Sequence, residues 1–514
     1  MKGIGIDLRE LNFTMATLLE EACKTAKDKI FFEFPSRGFK VTYGEFQAQV
    51  NRIANLLEER GVTRGDKVAI MAENSPELLH VSYAVTNIGA VWVPINALLV
   101  GESLRYIVDV SDSTYTIVSS RYREQIEQAA GKVERPTQIL SLEEVYKAAE
   151  EKSPEYKSPA EPNDICYLIY TSGTTGLPKG VLHTHNSNIK AAVRSEEAVE
   201  TIGDDRVYVQ LPFFHVWANL VMLGVIHFKA TIVVDERFST ETYWENVDRY
   251  KITQGHWTGT MPLNLLKLPK SELEQKAKIN VFGTLGAMYE TIKARWPDIR
   301  FQSLYGLSEH PTLTAVLADE IIPGSDGVPR YPDEVLILDE NEKSLPQGET
   351  GEIVVRCRCG VHMQGYYKNP EATAKTLRGD DLYTGDLGYL DEQGHLHFAG
   401  RKKDALRVRG EMVSIDHTEH LINQHPKVAE SAITAYRPPE KEASKEDEIV
   451  AHIVVKRGET LTPEGFHQWS EQNLARFMRP RYVVFRDSLP KTATERIQHF
   501  ILKDEGIKGT TKLF

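Results

Sequence analysis

Residues 165–181 read ICYLIYTSGTTGLPKGV, and no other stretch constrains the chain as tightly. The apolar run Cys166 to Tyr170 has the length and composition of a buried strand. It empties directly into Thr171, Ser172, Gly173, Thr174, Thr175 and Gly176, and Pro178-Lys179-Gly180 closes the turn. Glycines let main-chain N–H groups approach a polyanion closely. The hydroxyls add donors and Lys179 adds a positive charge. Such a loop suits a triphosphate. It is not a Walker A loop, which places four residues between its first glycine and a Gly-Lys-Ser/Thr; here Pro178 stands five positions after Gly173. The alternative is a flexible Ser/Thr/Gly surface turn, and an unbroken run of such residues behind a buried strand argues against it.

The rest of the chain is long enough for several folding units. At 514 residues, about 150 per domain suggests roughly three. The segment LEERGVTRGDKVAIMAEN ends a helix at Gly61, turns at Arg64-Gly65-Asp66 and enters an apolar strand from Val68 to Met71. A second apolar run, Gly89 to Ile95, follows a helix-like stretch, which is the βαβ rhythm of a mostly parallel sheet. EEKSPEYKSPAEPND, Glu150 to Asp164, is polar and proline-bearing and reads as a linker or surface loop. From Ile165 to about residue 400 apolar segments alternate with turns. The last stretch differs in charge: Lys403 to Phe514 carries 18 basic and 17 acidic residues, net +1, and the remainder carries 43 and 56, net −13. A small near-neutral module thus follows a large acidic one. Within it, EKEASKEDE, Glu440 to Glu448, reads as a solvated loop.

Charge and composition exclude several functions. A net charge of −12 argues against a protein built to grip nucleic-acid phosphates. No apolar run approaches the roughly 20 residues that span a bilayer; the longest, Val216 to Phe228, is interrupted by Asn219 and His227. The opening MKGIGIDLRE lacks the apolar core of a secretory signal. Cys23, Cys166, Cys357 and Cys359 form neither a disulfide framework nor a metal-site spacing, and read as structural thiols. A cytoplasmic enzyme is expected.

YTSGTTGLPKGV resembles the phosphate-binding signature of the adenylate-forming superfamily of acyl-CoA synthetases, peptide-synthetase adenylation domains and beetle luciferases. Further motifs follow in order. LPFFH, Leu211 to His215, resembles the aromatic-and-His motif bordering the acyl pocket, and YGLSE, Tyr305 to Glu309, resembles YGxTE. GETGEIVVR, Gly348 to Arg356, and GYYKNPEAT, Gly365 to Thr373, match downstream structural segments. YTGD ends at Asp386, GRKKDALRVRGEMVS (Gly400 to Ser414) resembles the hinge region, and LPKTATERIQ (Leu489 to Gln498) resembles the C-terminal signature. The resemblance runs from about Thr42-Tyr43 to about Leu502. It implies an α/β fold: a large N-terminal domain, residues 1–402, of packed αβ subdomains in αβαβα layers plus a small β-barrel-like part. A small mobile α+β C-terminal domain, residues 403–514, follows.

The resemblance also implies a reaction. A carboxylate attacks the α-phosphorus of ATP, giving acyl-AMP and pyrophosphate, and the CoA thiol then displaces AMP. Positioning and charge neutralisation dominate such chemistry. The 171–180 loop would wrap the phosphates, Tyr305 would stack on adenine beside Gly306, and Ser308, where the family usually has Thr, would meet the α-phosphate. Glu309 would hold Mg²⁺ through oxygen ligation. Gly286 and Ala287 join the nucleotide set. Asp386 would hydrogen-bond the ribose hydroxyls, with Arg401, 15 residues on, beside it. Lys403 would be the pivot about which the small domain rotates between half-reactions. Arg407 is a candidate thiolation cation, a solvated basic strand being the alternative, and Gly410 would let a pantetheine arm pass. His215 would gate the acyl and thiol tunnels, although a His beside Phe213 and Phe214 is often a packed core residue.

One departure matters. Where the signature carries Gly-Lys, with the lysine bridging the acyl carboxylate and α-phosphate, this chain has Glu495-Arg496. A compact ammonium is replaced by a planar fork. Three readings stay open: Arg496 performs adenylation, Lys491 substitutes, or the first half-reaction is slow or lost. The acyl pocket is expected from His215 to Asn219, His256 to Met261 and Gly283 to Met288, with Trp217, Trp257, Gly283 and Gly286 among its lining and no acidic residue in these segments. An amino-acid substrate needs an acid to pair its ammonium, so a fatty, aryl or other non-amino acid is favoured. TLGAM, the short hinge and the ATER tail most resemble the crotonobetaine/carnitine–CoA ligase-like branch. There, a trimethylammonium acid would use cation–π attraction to Trp217 or Trp257, ordinary pocket walls being the alternative. The expected partners are ATP, CoA and a small carboxylic acid, with a homodimer left open. Loading of a carrier protein and a catalytically weakened nucleotide-binding homologue are the competing functions.

Overall fold

The computed structural model describes residues 6–131, 137–171, 178–258, 260–283, 285, 288–316, 322–402, 405–408, 411–438, 447–474, 478–491 and 497–514. The chain divides into two compact units, residues 1–335 with 355–382, and residues 336–354 with 383–514.

The larger unit is built on two sheets. The first has seven strands in the order Gly365–Tyr366, Lys179–Thr184, Ile165–Thr171, Val91–Pro94, Lys67–Met71, Tyr115–Val118 and Gln138–Ser141. Its interior pairs are parallel, and their sequences (VAIM, VWVP, YTIV) are the near-continuous apolar runs expected of strands covered on both faces. The parallel order requires helical crossovers, and Pro76–Asn87 is one of them: Ser75 caps it by accepting from the Leu78 N–H, and Pro76 occupies its first turn. The helix Tyr43–Glu59 ends before Gly61, whose φ of 93° takes the chain into the turn ahead of Lys67–Met71. At the other edge the chain reverses: Ile165–Thr171 and Lys179–Thr184 pair antiparallel, with Thr171 opposite Lys179.

The second sheet has nine strands, from Val328–Pro329 through His310–Ala315, Arg300–Leu307, Asn280–Gly283, Gln254–Trp257, Arg206–Val209, Thr231–Val234 and Ile30–Phe34 to Phe39–Thr42. Two helices, His185–Ala198 and Val216–Phe228, pack on one another, and the first touches strands of both sheets. Both are buried on nearly every side. The polar residues of the first are therefore inside the protein, which bears on the site. The segment 150–164 is a surface strap: Asn51 and Asn55 donate to its carbonyls, Ser158 Oγ donates to the Asn87 carbonyl at 2.6 Å, and Arg64 pairs with Asp164 at 2.7 Å.

The smaller unit contains most of a sheet of Glu334–Leu338, Gly351–Arg356, Asp381–Leu390 and Leu396–Arg401. It also contains a four-stranded sheet of Val428–Tyr436, Glu448–Val455, Tyr482–Arg486 and Thr511–Lys512, whose core includes Ile433, Ile449, Ile453 and Phe466. The solvated loop expected over Glu440 to Glu448 needs correction at its end. Residues 440–446 lie outside the described residues, but Asp447 and Glu448 are buried; Asp447 accepts from Arg437 at 2.8 Å and Glu448 opens a strand. Among the described residues no helix is long and apolar enough to cross a membrane.

Candidate active site

The Ile165–Thr171/Lys179–Thr184 hairpin holds Thr171 and Lys179 at the two ends of its loop; Ser172, Gly173, Thr174, Thr175 and Gly176 lie outside the described residues. The short strand Gly365–Tyr366 pairs with the outer edge of the hairpin, Tyr366 opposite Val181. This register brings the Tyr366 ring beneath Lys179, whose ammonium sits 4.9 Å from the ring centroid. From the same ring the hydroxyl donates to Glu309 Oε1 at 2.6 Å. Burial, and then the Glu309 carboxylate, push the Tyr366 phenol well above its ordinary range, so it stays a donor. Lys179 also lines a cleft of about 330 Å³ with Tyr106, Asp112, Tyr170 and Lys368. The sequence marked GYYKNPEAT as structural only; its first tyrosine contacts both Lys179, expected to bind phosphate, and Glu309, expected to bind metal.

The turn carrying Ser308 and Glu309 is held from several sides. Arg300–Leu307 pairs antiparallel with His310–Ala315, with an irregularity between Tyr305 and Leu307. Gly306 allows it: a Cβ there would come within 2.6 Å of the Thr312 nitrogen. Tyr305 is buried opposite Thr314, whose hydroxyl accepts from its N–H at 3.2 Å. His183 Nε2 donates to the Ser308 carbonyl at 2.7 Å; burial pushes this imidazole down to about 4, so it is neutral with its proton on Nε2. The Glu309 carbonyl accepts from the Met363 N–H at 2.8 Å. Behind the turn, buried His310 pairs with Asp333 at 3.1 Å, and Asp333 also pairs with the Arg194 guanidinium. Burial alone would raise the Asp333 carboxyl, but the His310 hydrogen bond and the Arg194 charge hold it below its ordinary value. Cys359 donates to the same carboxylate at 3.3 Å, and all four cysteines are free.

His215 is exposed at the N-terminus of Val216–Phe228, its ring 4.7 Å from that of Phe214. Trp217, one residue into the helix, is half-buried against Phe282 at 5.4 Å and donates to His256 Nδ1 at 3.1 Å. Trp257 lies elsewhere: it is 2% exposed, its indole donates to Tyr243 at 2.8 Å, and it packs among Trp244, Trp296 and Phe301. That is an aromatic core, and strand alternation explains it, because His256 and Trp257 point to opposite faces. Gly283 ends its strand where a Cβ would overlap the Trp257 carbonyl oxygen. Gly286 and Ala287 are outside the described residues.

In the smaller unit, Asp386 and Arg401 are direct cross-strand partners, with Arg401 Nε 4.0 Å from Asp386 Oδ1. The intervening hairpin converts their sequence spacing into adjacency. Gly385 has a φ of 70°, and the Asp386 N–H is fixed by Thr384 Oγ1 at 3.0 Å. Lys402 pairs with Glu352 at 2.6 Å. Arg407 lies on Ala405–Val408, its main chain opposite Met412. Lys403, Gly410, Glu495 and Arg496 lie outside the described residues. Lys491 is described, and its ammonium is 2.6 Å from Glu430 Oε2.

The larger unit joins a parallel-sheet core to a hairpin whose loop sequence is rich in hydroxyls and glycine, the combination expected of an adenylate-forming enzyme. The chain belongs to the AMP-binding enzyme family: residues 19–367 match the model of the AMP-binding enzymes and residues 417–496 that of their C-terminal domain. Similar proteins include the crotonobetaine/carnitine–CoA ligase of Escherichia coli O7:K1, 30% identical over 484 residues covering 89% of this chain and 92% of that ligase. The crotonobetaine/carnitine–CoA ligase of Escherichia coli K12 (DH10B) is 30% identical over 486 residues, with the same coverage. Among solved structures, ATP-bound MatB from Rhodopseudomonas palustris superposes with a TM-score of 0.84 at 25% identity, covering 96% of this chain and 99% of that one. The chain is thus an AMP-forming acyl-CoA ligase of mixed α/β fold.

Proposed function

We propose that the protein joins a non-amino organic acid to CoA through an acyl-AMP intermediate, releasing pyrophosphate in the first half-reaction and AMP in the second. The observation that carries this reading is the convergence of Lys179 and Glu309 on Tyr366, which brings a cation and a hard oxygen ligand to one side chain beside the loop. In this reading Lys179 and the 171–176 loop take the leaving phosphates, Tyr305 and Gly306 take adenine, Ser308 takes the α-phosphate, and Asp386 with Arg401 takes the ribose. The donor set suits Mg²⁺: a carboxylate held by a phenol hydroxyl beside a phosphate-binding loop is the partial shell that this ion completes with phosphates and water. Glu309 would hold it, and the ion would neutralise phosphate charge.

Arg496 bridges the acyl carboxylate and α-phosphate in the first half-reaction. Lys403, between domains 1–402 and 403–514, is the pivot, and Arg407 and Gly410 serve the thiol step. His215 and Trp217 border the acyl group; the similarity to crotonobetaine/carnitine–CoA ligases favours a small acid of that kind, for which an indole face is a fitting neighbour. Four free cysteines fit a reducing, cytoplasmic setting. Pyrophosphate and AMP release is to be measured over a panel of carboxylic acids, with and without CoA. AMP formation that needs both acid and CoA is expected. Pyrophosphate release indifferent to CoA would point to carrier loading, and tight ATP binding without turnover would refute the catalytic reading.

A further inference from the structure

The helix that carries Trp217 touches a buried polar chain that the adenylation chemistry does not use. The Trp217 indole donates to His256 Nδ1 at 3.1 Å. An indole nitrogen only donates, so Nδ1 is bare and the ring proton of a neutral His256 sits on Nε2. His256 is 1% exposed, and burial pushes it down to about 3. Its Nε2 lies 3.3 Å from Gln254 Nε2, itself a donor, and 3.7 Å from Glu196 Oε1, which is beyond hydrogen-bond distance. The other oxygen, Glu196 Oε2, accepts from Thr201 Oγ1 at 2.7 Å and from Gln254 Nε2 at 3.2 Å.

The fold makes room for this acid. Glu196 sits on His185–Ala198 and is fully buried against Val216–Phe228. It fits because Gly224 has no side chain: a Cβ there would overlap Glu196 Cγ. Positions 217 and 224 are seven apart, two helical turns on one face. The acid and the imidazole therefore meet the same stripe of this helix, one at a glycine notch and the other at an indole. A buried carboxyl is costly, and this one is held by Thr201 and Gln254.

We infer that His256 is a positioning residue for the acyl-binding wall: it fixes the Trp217 indole in one orientation and thereby sets which acids the pocket accepts. The inference rests on the reading of Trp217 as part of that wall. With the indole N–H anchored and the ring tilted 39° against Phe282 at 5.4 Å, the wall presents an aromatic surface of defined angle.

The test is steady-state pyrophosphate release by the full-length enzyme, using whichever of crotonobetaine, benzoate and hexanoate the parent turns over fastest. Trp217→Phe keeps an aromatic ring but removes the indole N–H together with the pyrrole part of the ring system. It is expected to raise the acid KM about tenfold, with kcat and the ATP KM within about twofold of the parent. His256→Leu is expected to do the same, and the double variant to be no worse than either single one, because both remove one interaction. Losses that add, or a rise in the ATP KM equal to that in the acid KM, would overturn the positioning role. So would an unchanged acid KM in Trp217→Phe, a half-buried replacement that keeps the test open if a core variant fails to fold. Trp217→Ala separates the two levels of the argument. If it leaves the acid KM unchanged, the acyl-wall reading falls and takes the inference with it; if it shifts the KM while His256→Leu and Trp217→Phe do not, only the inference falls.

Discussion

Replacing Tyr366 by Phe isolates the hydrogen bond from the ring beneath Lys179, the proposed phosphate ligand, to Glu309, the proposed metal ligand. The substitution removes one oxygen and leaves the ring, so the Lys179 ammonium keeps its partner at 4.9 Å. What is lost is a 2.6 Å hydrogen bond to a carboxylate from a side chain that is 8% exposed. A hydrogen bond to a charged group contributes about 1.5–3 kcal/mol net. If that bond holds Glu309 in its working orientation, the same amount is lost from transition-state binding. At about 1.4 kcal/mol per decade, kcat/KM for MgATP falls by roughly 10- to 100-fold. The expected loss is in MgATP use, with the acid KM unchanged. Pyrophosphate release at varied ATP and fixed saturating acid measures it, and a thermal melt checks that the variant is folded. Tyr366→Leu removes the ring as well and should cost more than Tyr366→Phe. A folded Tyr366→Phe enzyme with the parent's kcat/KM for MgATP would refute the reasoning, because Glu309 would then need no help from Tyr366.

Two further outcomes follow from the same geometry. Gly306→Ala forces a Cβ to within 2.6 Å of the Thr312 nitrogen, an overlap worth about 1–3 kcal/mol of stability; the melting temperature should fall and the ATP KM rise, and a variant with the parent's melt and KM would show that the turn has slack. Burial raises Glu196 to about 8, while the unfolded chain titrates near 4.5. The folded state therefore keeps a proton that the unfolded state gives up, and this contribution to stability is complete below about pH 4.5 and fades as pH rises towards 8. Glu196→Gln cannot ionise, so its melting temperature should gain on the parent's between pH 5 and pH 8; parallel melting curves would contradict the buried acid.

The Ile165–Thr171/Lys179–Thr184 hairpin, the YGLSE turn and the adjacency of Asp386 and Arg401 were legible because each is carried by a short contiguous string or by one hairpin. The βαβ core was legible for the same reason: its strands are unbroken apolar runs. What stayed hidden lies across the fold. Tyr366 reaches Glu309 over 57 residues through an edge-strand pairing, and no periodicity announces which aromatic of GYYKNPEAT turns inward. Glu196 reaches the neighbourhood of Trp217 from a different helix, so a search for acids inside the pocket segments passes over it. Trp257 shows the converse. Its place next to His256 suggested a pocket wall, yet a strand's alternation sends adjacent side chains to opposite faces, and the larger indole went to the core.

Arg496 and Lys491 are separated by what the removal of each would cost. Lys491 is 2.6 Å from Glu430, each about 30% exposed, and a partly exposed pair of this kind contributes only about 0.2–1 kcal/mol. Its ammonium is therefore occupied but not locked, and the ion pair alone does not forbid it from serving as the adenylation cation. Function decides between them. A cation placed where charge develops in the transition state is worth roughly 10²–10³ in rate, whereas removal of a weak pair partner is nearly silent. Arg496→Ala should thus lower pyrophosphate release by roughly 10²-fold or more, and Lys491→Ala should leave it within about twofold, with Glu430→Gln equally mild. Arg496→Lys restores the point charge and should recover part of the loss, but not all, because a fork and an ammonium reach two anions differently. If Lys491→Ala carries the large loss and Arg496→Ala the small one, the roles are exchanged. If neither variant changes a measurable parent rate, neither residue supplies the bridging charge, and the source must lie elsewhere on the nucleotide's surroundings.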